Sequence, residues 1–259
     1  MVATDLDGTL LRSDGTVSER TRVALESAWA AGIVTVLVTA RPPRWLDDLA
    51  DHVGEHGIAI CGNGAFVYDV ARREVVESRG FARDDLLSLA SDLRGVVPGI
   101  GFAVERADGM GREDHYVYRD EMAGVERGPL TTLAATTVGK LLARCDAMDP
   151  HDFLARVADV AGDRAQLGYS GAVGLAELTA PGVTKASGLS IWCSEQGIGP
   201  SGVVACGDMP NDLPMMEWAG HAVAVANAHD DVLAAADEVV ASNDDDGVAT
   251  VLERIARQR

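Results

Sequence analysis

Lysine is almost missing from this chain. Of its 22 basic residues only Lys140 and Lys185 are lysine, and the other twenty are arginine. A lysine here is therefore a choice that asks for a reason. Positive charge is scarce altogether: 40 acidic residues give a formal net charge of -18, which excludes a nucleic-acid surface or an anionic membrane as the main partner. Long apolar runs are missing as well. Nothing approaches the ~18 residues of a membrane span, and Asp5 and Asp7 stand where a leader peptide would be basic and then apolar, so a cytoplasmic location is expected. Cys61, Cys145, Cys193 and Cys206 form no CxxC pair and three lie in apolar runs, so buried thiols are expected, neither disulfides nor a zinc site. Internal repeats and low-complexity linkers are absent. With 259 residues, 47% hydrophobic and 24% charged, the chain can bury one large core or two smaller ones.

The stretch Thr4-Asp5-Leu6-Asp7-Gly8-Thr9-Leu10-Leu11 stands out. An apolar strand runs into two carboxylates one residue apart and then a glycine turn. Strand alternation would point Asp5 and Asp7 the same way and Leu6 into the sheet. Gly8 allows a tight turn and close approach of a small ligand. Two like charges at contact repel by roughly several kcal/mol at an effective dielectric near 20, so something cationic should compensate. Only four residues precede Asp5, so either the first strand is short or the recorded start lies downstream of the true one.

Along the chain, residues 18–31 read as a helix with Ser18 as N-cap, apolar positions at Val23, Leu25, Ala28 and Trp29, and Gly32 as its stop. Residues 33–38 and 58–61 read as buried parallel strands, ending in Thr39-Ala40-Arg41 and Gly62-Asn63-Gly64-Ala65. A helix carrying Trp45, Leu46, Leu49 and Val53 lies between them. Alternating strand and helix predict a doubly wound parallel sheet, an α/β fold whose ligands bind off the carboxyl ends of the strands. From about 82 to 180 the texture changes. Helices at 83–93 and 151–161 alternate with strand candidates at 100–105, 116–118, 136–143 and 174–179, none of them a long buried run. This predicts an inserted α+β domain with one exposed sheet face, over residues 82–180, between core segments 1–81 and 181–259. The alternation then resumes with a helix at 184–196, a strand at 203–206, a helix at 213–219, strands at 222–226 and 238–241 and a helix at 248–257.

Asp5 with Asp7, Thr39, Lys185, and Asp208 with Asn211 and Asp212 all fall at strand ends or helix starts. Singly, each has a structural explanation as a turn, a cap or a solvated charge. Lys185 resists it, because the first turn of a helix disfavours a cation and this chain prefers arginine. A compact ammonium there calls for an anion beside a crowded ligand. Together they predict a phosphate site: Asp5 and Asp208 as hard oxygen ligands for Mg²⁺, Thr39 and Lys185 on the phosphate, a helix start offering N–H groups, and an aspartate placed for nucleophilic attack. Asp7 would carry the proton to the leaving oxygen.

Asp5-x-Asp7-Gly8-Thr9-Leu10, Thr39-Ala40-Arg41, Lys185 and Gly207-Asp208-x-x-Asn211-Asp212 resemble the four motifs of the haloacid dehalogenase (HAD) superfamily in order and spacing. The insertion between the second and third motifs resembles the C2-type (IIB) cap of the Cof-like sugar phosphatases. Asn63-Gly64-Ala65, Gly182-Val183-Thr184-Lys185 and Asn243-Asp244-x-Asp246-Gly247-Val248-Ala249 are further local matches. The resemblance implies a Rossmann-like HAD core with a cap, and a Mg²⁺-dependent phosphatase acting through an aspartyl-phosphate. It implies Asp5 as nucleophile and Asp7 as general acid/base, with the Asp7 main-chain carbonyl also on the metal. Thr39, Ala40 and Lys185 would lie on the phosphoryl group, with Asn211 near it. Asp208 would ligate the metal, Asp212 would support it, and Asn63 would sit close to substrate. The substrate class it implies is a sugar phosphate or similar small phosphorylated metabolite.

Two other readings compete, a phosphomutase sharing the same intermediate and a catalytically silent binding module. The second is disfavoured by the intact Asp5, Asp7, Lys185 and Asp208. Substrate choice should come from the cap, where Arg106, Arg112, Glu113, Asp114, His115 and Tyr116 form the densest polar-aromatic cluster, more readily a solvated loop than a substrate contact. Oligomeric state is not legible.

Overall fold

The computed structural model describes residues 1–47, 57–116, 124–168 and 172–258. In chain order, β1 (Val2–Thr4), α1 (Glu19–Ala30), β2 (Thr35–Val38), β3 (Ile58–Cys61), β4 (Phe66–Asp69) and β5 (Glu74–Ser78) come first. Next are α2 (Arg83–Val96), β6 (Gly101–Arg106), β7 (Gly109–Arg112), β8 (Glu126–Arg127), β9 (Lys140–Arg144), α3 (Pro150–Ala161), β10 (Gln166–Gly168) and β11 (Leu175–Thr179). The last are α4 (Lys185–Glu195), β12 (Val204–Gly207), α5 (Leu213–Trp218), β13 (His221–Val225), α6 (Asp230–Ala235), β14 (Glu238–Val240) and α7 (Gly247–Arg257). They form two compact units, Met1–Val76 with Lys185–Arg259, and Glu77–Thr184.

The first unit is built on an eight-stranded sheet in the order β14-β13-β12-β1-β2-β3-β4-β5. Its neighbours from β14 to β3 are parallel, and β4 returns antiparallel to β3. This is the doubly wound α/β core. β1 and β2 are buried along their whole length, which is why their sequences are unbroken apolar or β-branched runs. The chain builds outward from β1 to β2 and β3, then returns to lay β12 on the other flank of β1. The carboxyl ends of β1 and β12 therefore meet at the topological switch point, where open sheets of this kind form a crevice.

In α1 the Ser18 hydroxyl accepts the Thr21 N–H at 3.0 Å, as its N-cap position requires. Its inward stripe is Thr21, Ala24, Leu25 and Ala28, while Val23 and Trp29 are exposed. The true face thus includes a threonine and two alanines, small enough for the close contact with α7. The β4–β5 pair was not foreseen. Phe66–Asp69 lacks alternation, and only antiparallel pairing with β3 makes it a strand. The helix α6 was also missed. Of the helix expected after β2, Pro43–Trp45 forms a single 3₁₀ turn, and Leu49 and Val53 lie outside the described residues.

The second unit has a six-stranded sheet, β10-β11-β9-β6-β7-β8, antiparallel except between β7 and β8. Leu86, Leu89 and Leu93 of α2 and Phe153 and Val157 of α3 join one apolar core with Phe102, Val104, Leu141 and Leu178. Among the described residues the exposed opposite face expected from the sequence is not found. β6 is buried throughout, and that face carries a smaller cluster of Ala103, Met110, Tyr116 and Leu142. A buried Lys140–Glu177 pair at 2.8 Å lies on neighbouring strands β9 and β11. The strand expected at 136–143 begins only at Lys140, and of 116–118 only the buried Tyr116 is described. Among the described residues no helix is long and apolar enough to cross a membrane.

Candidate active site

β1 stops at Thr4, so strand alternation does not carry through to Asp7; a tight turn does the placing. Leu6 is buried as expected. The Thr9 and Leu11 N–H groups both return to the Leu6 carbonyl, at 3.2 and 2.8 Å. Gly8 has φ +81°, and a Cβ there would collide with Asp208 Oδ2, so the turn needs glycine both for its conformation and for the space beside Asp208.

The two motif carboxylates face different cations. Asp5 is 5% exposed and accepts a hydrogen bond from Lys185 Nζ at 2.7 Å. Asp7, its side chain 58% exposed, accepts two hydrogen bonds from Arg41, from Nε at 2.9 Å and Nη2 at 2.6 Å. The compensation demanded by the sequence is thus supplied twice, by residues 180 and 34 positions away.

Lys185 is the first residue of α4 and is buried. Its anions are Asp5 and Asp212, each at 2.7 Å. Helix α4 reaches this position because Gly188 lets it press on the turn after β3, where an added Cβ would lie 2.9 Å from Gly64 Cα. In that turn Asn63 adopts the left-handed conformation at φ 59° and donates its N–H to the Thr39 carbonyl at 3.1 Å. Thr39 is fully buried, and its hydroxyl accepts the Arg41 N–H at 3.1 Å, leaving its proton to be donated. Ala40 lies between them at the end of β2.

Past β12, Asp208 accepts the Thr9 hydroxyl at 2.7 Å, across 199 positions of sequence. Asp212 is fully buried and its oxygens are committed: Oδ1 to Lys185, Oδ2 to the N–H groups of Asp208 and Met209 at 3.2 and 3.1 Å. It acts as the bracket of the Asp208 loop. The Asn211 side-chain oxygen is buried without a hydrogen-bond partner among the described residues.

Asp5, Asp208 and Asp212 each place an oxygen within 4.8 Å of the others, all buried, and two of them, Asp5 and Asp212, share one ammonium. Burial disfavours the Asp5 carboxylate, and Asp212 and Asp208 add repulsion that Lys185 only partly offsets, so its pKa is pushed well above the ordinary value. Asp208 is pushed up chiefly by burial, with the Thr9 hydrogen bond opposing it. Burial also works against the Lys185 ammonium, yet Asp212 and Asp5 outweigh it and raise its pKa. Lys185 stays charged while the Asp5 carboxylate is disfavoured, because Asp5 is buried and a single cation faces a cluster of three carboxylates. The donor set fits Mg²⁺: hard carboxylate oxygens with two negative charges left uncompensated.

The family model of the haloacid dehalogenase-like hydrolases matches residues 2–252. The chain belongs to that family. YxeH of Bacillus subtilis, named a phosphatase, is 32% identical over 267 residues, covering 98% of this chain and 97% of that protein. The pyridoxal phosphate phosphatase YbhA of Escherichia coli is 28% identical over 263 residues and 96% of each chain. The fold of the HAD subclass IIB sugar phosphatase BT4131 superposes with a TM-score of 0.77 over 98% of each chain at 21% identity. The chain is thus a HAD-like hydrolase whose relatives over nearly its whole length are named phosphatases, and it shares its fold with a subclass IIB sugar phosphatase.

Three participants were not singled out from the sequence. Thr9 and Arg41 lie inside quoted motifs but received no role, and Asn227, which donates to the Gly8 carbonyl at 2.8 Å, carries no local signal at all. The polar cluster of the inserted domain is largely consumed internally. Arg106 holds Asp108, Glu126 and the Leu133 carbonyl, Arg112 holds the Tyr116 carbonyl, and Glu113 accepts from Arg94 and the Leu130 N–H. An Arg41→Lys variant is expected to lower kcat about tenfold with KM nearly unchanged, because an ammonium cannot reproduce the bidentate hold on Asp7. Steady-state kinetics on any turned-over phosphate ester will measure it.

Proposed function

We propose that this HAD-like hydrolase is a Mg²⁺-dependent phosphomonoester hydrolase working through an aspartyl-phosphate on Asp5. The observation that carries the reading is the group of three buried carboxylates around one lysine at the switch point of the sheet. An acidic protein of net charge -18 needs local positive charge to receive a phosphate, and Lys185 with a divalent cation would supply it. Asp5, Asp208 and the Asp7 main-chain carbonyl would hold the Mg²⁺, with Asp212 supporting Asp208. When bound, the ion would neutralise the carboxylates and polarise the phosphoryl oxygens.

An oxygen of the Asp5 carboxylate attacks phosphorus while the P–O ester bond breaks. Asp7 gives its proton to the departing alkoxide. Asp7 then takes a proton from water as the water oxygen attacks the phosphorus of the aspartyl-phosphate, freeing Asp5 and inorganic phosphate. Lys185 and the Thr39 hydroxyl hold the transferring oxygens, with the Ala40 and Asn211 groups beside them.

A sugar phosphate or similarly small phosphorylated metabolite is the substrate class. The activity of a relative toward pyridoxal phosphate supports a small ester, and the acidic surface disfavours nucleic acid. Purified protein should release phosphate from p-nitrophenyl phosphate with Mg²⁺ and lose at least about 100-fold of that rate in EDTA. Release that ignores the metal would sink the reading. A panel of phosphate esters assayed in parallel would name the substrate class.

A further inference from the structure

The turn that carries Asp7, Gly8 and Thr9 is held from outside by two loops that contribute nothing to the carboxylate group. Asn227, just beyond β13, donates its side-chain N–H to the Gly8 carbonyl at 2.8 Å. Its side-chain oxygen accepts the main-chain N–H of Asn243, beyond β14, at 2.9 Å. The Asn243 side chain, itself buried, donates to the Leu11 carbonyl at 2.9 Å. Two asparagines thus bridge both ends of the turn. The next residues reinforce the second loop. Asp244 accepts the Ser13 N–H and hydroxyl at 2.8 and 2.7 Å, and Asp246 pairs with Arg12 at 2.9 Å.

The Gly8–Thr9 peptide is consequently gripped at both polar atoms: its N–H by the Leu6 carbonyl at 3.2 Å, its oxygen by Asn227. Glycine at φ +81° is the residue least able to hold a conformation by itself. Directly after it, the Thr9 hydroxyl fixes Asp208 at 2.7 Å, and the space a Gly8 Cβ would take is filled by the Asp208 carboxylate. A rotation of this peptide would move Thr9 off Asp208.

We infer that Asn227, acting through the Gly8–Thr9 peptide on Thr9 and thence on Asp208, and Asn243, holding the Leu11 end of the same turn, are positioning residues for the cation site. The inference rests on the metal reading above. Outer partners of ligand carboxylates set metal affinity by about 10- to 100-fold, and this bridge is such a partner at one remove.

The test uses the full chain without substrate, following the melting temperature against Mg²⁺ concentration, and then the Mg²⁺ dependence of phosphate release. For Asn227→Ala, an exposed site where misfolding is not at issue, the half-saturating Mg²⁺ concentration should rise about tenfold in both measurements. The substrate KM at saturating Mg²⁺ should stay within about twofold. Asn243→Ser should shift the midpoint in the same direction, through its separate hold on the Leu11 carbonyl, since the main-chain N–H that meets Asn227 is kept in that variant. A parent that shows no Mg²⁺-induced shift overturns the metal reading and this inference with it. A parent that shifts normally, beside an Asn227→Ala protein with an unchanged midpoint and an equal loss of melting temperature with and without metal, overturns the inference alone: the bridge would then be only structural.

Discussion

Asp5→Asn is expected to abolish phosphate release, by at least about 10⁴-fold, while leaving the fold intact. The amide oxygen is a poor nucleophile toward phosphorus, and among the described residues no second carboxylate takes its place: Asp212 has both oxygens bound, Asp208 is tied to Thr9, and Asp7 is paired with Arg41. The same change should not cost stability in metal-free protein. Because the Asp5 pKa is raised in the folded state, stability falls as pH rises from the ordinary value of 3.8 toward the folded value, and the penalty is complete once pH passes the folded value. Asparagine removes it. The melting temperature of metal-free Asp5→Asn at pH 7 should therefore equal or exceed that of the parent, and the difference should vanish below pH 3.8. A clear fall in melting temperature at pH 7 would contradict the crowded-carboxylate account.

The second large effect is expected at Lys185. Lys185→Met removes the one ammonium shared by Asp5 and Asp212 and leaves buried charge unpaired. Breaking a buried pair from one side costs about 3–5 kcal/mol, so metal-free Lys185→Met should melt far below the parent at pH 7. Its pKa is raised in the folded state, so the stabilisation it gives is complete below 10.5 and is lost only as pH climbs beyond that. The part of the gap that comes from the Lys185 charge itself should accordingly persist across neutral pH and close in strong alkali. Activity should fall by about 10²–10³-fold even where the variant is folded, since the charge proposed to hold the transferring phosphoryl is gone. Calorimetry across pH with kinetics at low temperature separates the two consequences. Full activity in a folded Lys185→Met protein would remove Lys185 from the phosphate site.

Much of the core was legible for a physical reason. β1, β2, β3 and β12 are buried on both faces, and such strands can be written only as short unbroken apolar or β-branched runs. Polar residues directly after such runs have nowhere to go but the carboxyl edge, which made Asp5, Thr39, Asn63 and Asp208 conspicuous. Lys185 was conspicuous by rarity and by its place at a helix start. Where pairing partners decide the outcome, legibility failed. Phe66–Asp69 is a strand because β3 is beside it, and the second sheet face of the inserted unit is covered where its sequence suggested exposure. Polar residues serving another loop were equally silent: Asn227 has its partners at Gly8 and Asn243, and nothing near it in sequence hints at either.

By itself the sequence determined which residue types stand at the strand ends: two carboxylates and a glycine after the first strand, a hydroxyl after the second, a lone lysine at a helix start, two more carboxylates after the twelfth. Those are local properties, set by what can follow a buried strand or open a helix. Only the tertiary structure decided their partners. Strand order puts β12 beside β1 and the turn after β3 beneath α4, so residues some 180 to 199 positions apart come within hydrogen-bond distance. Packing then gave Asp5 its lysine, Asp7 its arginine and Asp208 its threonine. Charge neutralisation is a property of that assembled edge, and the local sequence carries charges without their distances.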